Sequence, residues 1–445
     1  MENIIICNRV LFHRRGVDII RITLLTTGSR GDTQPFISLA VYLKSQGHSV
    51  ILGAKPDFAE LIGQFGIEFA PLGRPFKSFV VGGEEIMESG NFAKVFSYMY
   101  KQRKLIGENL LEDAYSASIG SDAIIFKYSW SAGFLIAEKL NVPHAGIMFF
   151  PITPTAEYPS FTLGKGKDRG RFINAFLMCL GGPYFAWLYQ HAANNKFRRD
   201  TLGLKPISYN KSYRSMINDK MPLFYTYSPE LMPKPSDWPE HIYVTGNWPP
   251  LPPPEWAPPA DLVSFLDSGP APVYIGFGSM TSTAERTLKI ILEALDIAGK
   301  RGIILSGWAG IGNGAVKLPE TVYRTDDVYH QWLFPKMAAI VHHGGAGTTA
   351  SGLYCGVPTI ITPFTLDQFG WGGRVHALGA GPAPIPFNEL TAGRLASAII
   401  EATTNENIRK RAQELSDIIK RENGLQKTVD IFMKHYENEQ NRKRI

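Results

Sequence analysis

Val341-His342-His343-Gly344-Gly345-Ala346-Gly347-Thr348-Thr349, followed by Asp367-Gln368, is the stretch on which the fold of this chain turns. The apolar run Ala338 to Val341 predicts a strand, and the small and hydroxylated residues from Gly347 to Cys355 predict a helix directly after the His-Gly turn. A helix that opens in this way leaves its first backbone N–H groups unpaired, at the positive end of its dipole and facing outward. Such a place suits a diphosphate.

The same rhythm runs outward in both directions. Downstream lie a strand over Thr359 to Thr362 and a helix over Thr391 to Thr403. Upstream, strands are expected over Pro272 to Phe277 and Arg301 to Ser306, with a helix from Glu285 to Gly299. Farther back, strand-like Ile22 to Thr27, Ser49 to Gly53 and Ala123 to Phe126 alternate with helix-like Pro35 to Gln46 and Ser131 to Leu140. Alternation of this kind predicts parallel, doubly wound α/β sheets in both halves. Between the halves, Asn247 to Ala260 holds seven prolines, a stiff connector that neither sheet nor helix tolerates. The expected organisation is an extension over 1–20, a Rossmann-like domain over 21–245, a linker over 246–262, a second Rossmann-like domain over 263–425, and a helix and tail over 426–445. Two such domains facing each other leave a cleft at the carboxyl ends of their sheets.

Composition agrees with a large enzyme: 445 residues, 44% hydrophobic and 19% charged, are enough for two cores. The net charge of +6 is interleaved with acids, which reads as a solvated surface; no nucleic-acid partner is expected, while weak attraction to an anionic membrane is compatible. Cys7, Cys179 and Cys355 are scattered and odd in number, which points to a reducing cytoplasm rather than to disulfides or zinc. There is no D-x-D and no paired His/carboxylate cluster, so neither a metal nor any other cofactor is expected. The N-terminal segment places its apolar run before its charges, the wrong order for a signal peptide. Phe172 to Gln190 is uncharged over 19 residues, but Gly181-Gly182-Pro183 interrupts it. Two short helices that line a greasy cavity or touch a bilayer are expected there, in place of a spanning helix.

Several side chains are candidates for chemistry in the cleft. After the first strand, Gly28-Ser29-Arg30-Gly31-Asp32 forms a loop, and Asp32 reads either as a helix cap or as a base for a hydroxyl proton. Gly276-Phe277-Gly278-Ser279 offers amides and the Ser279 hydroxyl to a phosphate, or is a plain turn. His343, beside the glycine turn, is placed to hydrogen-bond or balance a leaving diphosphate. Gly345 to Ala350 also fits G-x-G-x-x-A, but Asp367 falls past Pro363 rather than at a strand end, so a nicotinamide dehydrogenase ranks behind.

The order of Gly28 to Pro35, Ser228-Pro229, Gly276 to Met280, His330 to Pro335, Val341 to Thr349, and Pro363-Phe364 through Asp367-Gln368 to Ala377 resembles the sterol 3-beta-glucosyltransferases. These are GT-B enzymes of UDP-glycosyltransferase family 1, related to bacterial glycopeptide and macrolide glycosyltransferases. The likeness covers residues 21 to 435. It implies a GT-B fold and inverting, metal-independent transfer of a hexose, glucose first, from a UDP-sugar to a sterol or similar lipophilic alcohol. Asp32 would be the base, with Ser29 and Arg30 facing the donor. His343, Ala346, Gly347 and Thr348 would hold the diphosphate, Val328 and His330 would lie near the nucleoside, and Asp367 and Gln368 would bind the sugar hydroxyls. Leu366 stands where those enzymes commonly carry glycine. The apolar Met148 to Thr155, Glu157 to Phe161 and 172–190 are expected to form the acceptor pocket. The membrane-targeting modules of the large fungal members have no counterpart, so membrane contact is expected of the catalytic unit, at the periphery. The alternatives are transfer to another natural product or a glycolipid, a nucleotide-sugar epimerase, and a non-catalytic sterol-binding protein.

Overall fold

Short aliphatic runs buried on both faces build two parallel sheets, as expected where helices cover each side of a sheet. The structure is a computed structural model that describes residues 19–80, 83, 86, 92–163, 166–180, 184–208, 220–277, 284–306 and 317–444. In the first half, β1 (Arg21–Leu25), β2 (Ser49–Ala54), β3 (Glu68–Pro71), β4 (Ala123–Lys127), β5 (His144–Met148), β6 (Leu223–Tyr225) and β7 (Ile242–Val244) form one sheet. Its order is β3-β2-β1-β4-β5-β6-β7. In the second half, β8 (Val273–Gly276), β9 (Gly302–Leu305), β10 (Val322–Thr325), β11 (Ala339–His342) and β12 (Thr359–Ile361) are ordered β10-β9-β8-β11-β12. Strand order reverses beside β1 in one sheet and beside β8 in the other. Those switch points open crevices at the carboxyl ends of the strands.

The longer helices of the first half are α1 (Arg30–Ser45), α2 (Phe92–Ile106), α3 (Leu110–Ser118), α4 (Ala132–Leu140), α5 (Arg171–Cys179) and α6 (Phe185–Asp200). Those of the second are α7 (Ala260–Asp267), α8 (Ala284–Ile297), α9 (Ala346–Cys355), α10 (Gln368–Ala377), α11 (Ala392–Thr404), α12 (Glu406–Ile419) and α13 (Gly424–Arg444). Helix α1 starts five residues before the Pro35 expected to open it. Ser29 at its N-cap and Asp32 in its first turn bond reciprocally, and that holds a full turn ahead of the proline. Helix α7 begins at Ala260, inside the connector predicted over 246–262. The segment 172–190 is carried on α5 and α6; its Gly181-Gly182-Pro183 lies outside the described residues. Among the described residues no helix is long and apolar enough to cross a membrane.

The chain crosses between its halves more than once. Helix α13 returns to the first sheet, where Val429 and Phe432 join the core that contains Ile22, Leu24, Phe36 and Leu43. Thr428 Oγ1 donates to Thr245 Oγ1 at 2.8 Å. Just before α13, the buried Glu422 carboxylate accepts from the Ser228 hydroxyl and, at 3.1 Å, from Asn247 N–H. Phe161 from the first half packs edge-on against Trp371 of α10, with ring centroids 5.1 Å apart. These contacts set the two sheets face to face around one cleft.

Candidate active site

Strand β1 ends at Leu25, and the chain turns through Gly28 into α1. At Gly28 φ is +126°, and a Cβ there would lie 2.0 Å from Asp32 Oδ2, so glycine is required for Asp32 to tuck back against the turn. Asp32 therefore sits in the first turn of α1, not on a loop. Its two oxygens have separate duties. Oδ2 accepts from Ser29 N–H at 2.9 Å, the capping role, while Oδ1 lies 2.6 Å from Lys127 Nζ. Lys127 ends β4, the strand beside β1, and also donates to Thr27 O at 3.0 Å. The sequence reading missed this lysine. The one signal for it was its place at the carboxyl end of a buried strand, where open α/β sheets carry their ligand groups.

On the facing wall, β11 runs into His343 and the glycine turn. Gly344 has φ +87°, and a Cβ there would lie 2.7 Å from Ile361 Cγ2 and 3.0 Å from Gln368 O. Gly345 is the N-cap of α9 and supplies no capping side chain, so the N–H groups of Ala346, Gly347 and Thr348 are left for a ligand. Burial pushes the His343 imidazole down to about 4, with a hydrogen bond at Gly276 opposing, and its Nδ1 has no partner. His343 is thus neutral near pH 7. A neutral ring offers an anion hydrogen bonding rather than a full charge. Ser279 lies outside the described residues.

His330 stacks on Phe334 with centroids 4.3 Å apart, and its Nε2 lies 3.1 Å from the Tyr274 hydroxyl. Burial pushes this imidazole also to about 4, with Arg30 adding to the shift. Val328, two residues earlier, is buried against the same core. Arg30, expected to face a donor, reaches across the cleft to Asp327, with Nη1–Oδ1 at 2.9 Å and Nη2–Oδ2 at 3.3 Å. Asp327 had no signal of its own in the sequence.

Asp367 stands at the N-cap position of α10, without a capping bond from its side chain, and lines the cleft. Burial pushes its carboxyl up to about 7, and the Asp32 charge adds to this, whereas its own backbone N–H and Lys127 oppose it. The side-chain carbonyl of Gln368 is occupied by the loop, accepting from Phe364 N–H at 2.7 Å and Thr365 N–H at 3.1 Å. Its NH2 group is the part left to meet a hydroxyl. Leu366, between that loop and Asp367, has φ +51°, left-handed backbone that glycine adopts freely and leucine does not.

All of these groups line a single cleft of about 1150 Å3. Its other lobe is apolar, walled by Phe96, Met99, Leu110, Leu111, Trp130 and Trp248 together with Phe149 and Phe150. Of Met148 to Thr155, Met148, Phe149, Phe150 and Ile152 line the cleft. Phe161 instead packs against Trp371 of the second half, and among the described residues of 172–190 Tyr189 and Gln190 line the cleft. Among the described residues no group of three or more His, Cys, Asp or Glu is placed to hold a metal ion.

Residues 22–159 match the glycosyltransferase family 28 N-terminal domain, and residues 294–424 match the erythromycin biosynthesis protein CIII-like C-terminal domain. The sterol 3-beta-glucosyltransferase UGT80B1 of Arabidopsis thaliana is 35% identical over 431 residues, 95% of this chain and 69% of that protein. The chain belongs to the sterol 3-beta-glucosyltransferase family. A second Arabidopsis member, UGT80A2, is 36% identical over 436 residues, covering 94% of this chain and 67% of its own. The glycotransferase of kitacinnamycin superposes with a TM-score of 0.68 at 17% identity, over 94% of this chain and 100% of that one. At that identity the likeness is one of fold, and the fold is GT-B.

Proposed function

We propose that this chain transfers glucose from UDP-glucose to the hydroxyl of a sterol or a similarly flat, lipophilic alcohol, with inversion at the anomeric carbon. One observation carries the reading: Asp32 from the first sheet, and Asp367 with the open N-terminus of α9 from the second, line one cleft whose far lobe is apolar. The acceptor lies in that lobe with its hydroxyl at Asp32. Asp32 takes the proton, the oxygen attacks the anomeric carbon, and the bond to the diphosphate breaks on the opposite side, so that UDP leaves with the electron pair. The charge growing on the diphosphate is met by the N–H groups of Ala346, Gly347 and Thr348 and by a hydrogen bond from neutral His343. In this reading no metal or cofactor takes part. Asp367 and the Gln368 amide hold the sugar hydroxyls, and Val328 and His330 flank the nucleoside. Lys127 fixes the Asp32 carboxylate in place, and Ser29 and Arg30 border the donor.

Relatives named for sterol glucosylation and the apolar side chains that line the cleft support the acceptor class. A lipid acceptor of this kind resides in a bilayer, and the peripheral membrane contact expected from the sequence belongs to the same reading. The test is UDP release from UDP-glucose with and without cholesterol dispersed in detergent, with mass analysis of the lipid. Release that depends on cholesterol and yields a hexosylated sterol is expected. UDP-glucose binding without sterol-dependent release would reject the acceptor class.

A further inference from the structure

Helix α5 is built inside out. Asn174 and Met178 are buried, whereas Phe172 is 88% exposed, Phe176 61% and Ile173 47%. These three fall at i, i+1 and i+4, so they share one face of the helix. Asn174 has a reason to be inside. Its Oδ1 accepts from Arg169 N–H at 3.1 Å, and its Nδ2 donates to Asp168 Oδ1 at 2.8 Å, which pins the 168–170 turn at the start of α5. The helix is therefore held with its apolar face outward, and two exposed phenylalanines with an isoleucine on one turn form a patch of the kind that marks an interaction site.

Charge indicates the partner. Lys167, Arg169 and Arg171 are exposed in the five residues that lead into this face. The single acid among them, Asp168, also accepts from Gly170 N–H at 2.9 Å. Basic residues bordering an outward apolar helix face complement an anionic lipid surface, with the rings set among acyl chains and the cations at headgroup level. Helix α6, the next in the chain, has Leu188 36% exposed, and the two residues after it, Tyr189 and Gln190, line the cleft.

We propose that α5 docks the enzyme on anionic membranes through Phe172, Ile173 and Phe176, with Lys167, Arg169 and Arg171 at the headgroups, placing the α6 wall of the apolar lobe beside the bilayer. The benefit to turnover rests on the lipophilic-acceptor reading above; the docking does not.

The test is co-sedimentation of the full chain with vesicles of phosphatidylcholine alone and of phosphatidylcholine mixed with phosphatidylserine, in the absence of donor. Wild type is expected to partition onto the mixed vesicles and to be released by salt. Phe172→Ser/Phe176→Ser is expected to lose at least about tenfold of that partitioning, and Lys167→Glu/Arg171→Glu to lose the preference for anionic vesicles. Both substitutions fall on exposed residues, so the thermal transition should stay unchanged. Turnover of detergent-dispersed acceptor should be unaffected, while turnover of vesicle-borne acceptor falls with binding. Vesicle binding equal in wild type and the Phe variant, or none by wild type, would overturn the proposal. A dimer abolished by the Phe variant, without vesicle binding, would overturn it in favour of a second copy of the chain. Equal binding to neutral and anionic vesicles would overturn the role of the three basic residues. Vesicle binding without turnover of either acceptor form would reject the proposed reaction and leave the docking intact.

Discussion

Asp367 shows how far burial alone resets a side chain in this cleft. With its carboxyl pushed up to about 7, the folded protein keeps a proton there that the unfolded chain gives up near pH 4. A raised carboxyl contributes stability that is complete below about 4 and is lost as pH rises through about 7. His330 and His343, pushed down to about 4, do the reverse: their contribution holds above about 6.5 and is lost as pH falls toward 4. Above about pH 4 the two histidines gain more than Asp367 loses, so the melting temperature of the ligand-free enzyme should rise toward pH 7 and level off there, and Asp367→Asn, by removing the opposing loss, should steepen that rise. Donor use should depend on Asp367 directly. A sugar hydroxyl donates to the ionised carboxylate, so kcat/KM for UDP-glucose is expected to rise through about pH 7 and to lose that rise in Asp367→Asn. Leu366 makes a second case. Left-handed backbone costs a leucine roughly 1–2 kcal/mol, and glycine brings an entropic cost of about 0.5–1 kcal/mol. Leu366→Gly should consequently change stability by less than about 1 kcal/mol in urea unfolding, far from the usual cost of truncating a leucine. Asp32 was legible as a candidate because it follows a glycine turn at the end of a strand, although its place in the first turn of α1 was not. Lys127 was not, since it meets Asp32 through the pairing of β1 with β4, about a hundred residues apart, and no local pattern records that pairing.

At the scale of single elements, the β11–turn–α9 unit was legible to within a residue, because every feature that makes it is local. An apolar strand, two glycines forced by close approach, and a helix with no capping side chain all stand in nine consecutive residues. His343→Ala is expected to lower kcat/KM for the donor on the order of a hundredfold, the usual cost of removing one donor to a developing oxyanion. Unchanged donor kinetics would remove His343 from the diphosphate site. Helix α1 was harder to read. Proline is common at the first helical position, and Pro35 drew the expected start five residues too far along, although the Ser29/Asp32 pair was there to be read as a cap. Strands β3, β5, β6, β7 and β10 went unread; Glu68 and Pro71 in β3 and Arg324 in β10 interrupt the apolar run by which the other strands were recognised. The outward face of α5 was half legible: its lack of charge was plain, but which side would be buried depended on Asn174 bonding to the 168–170 turn.

For the molecule as a whole, the two-sheet plan followed from the repeated rhythm on either side of the prolines, while the return of α13 to the first sheet did not. That crossing is set by packing of Val429 and Phe432, which look in sequence like any amphipathic helix. Glu422 sits at its hinge, buried between Ser228 and Asn247. Glu422→Ala would strand a hydroxyl and a backbone N–H, and should cost roughly 1–3 kcal/mol in urea unfolding. The halves meet so that the base comes from one sheet and the diphosphate and sugar groups from the other. This division of labour makes binding and chemistry separable, and Asp32→Asn tests it most directly, with turnover of UDP-glucose and sterol measured beside UDP-glucose binding by calorimetry. The account predicts turnover reduced on the order of a thousandfold, the scale of a lost general base, with donor affinity within a few fold of wild type. Turnover within tenfold of wild type, or donor binding lost together with activity, would contradict it.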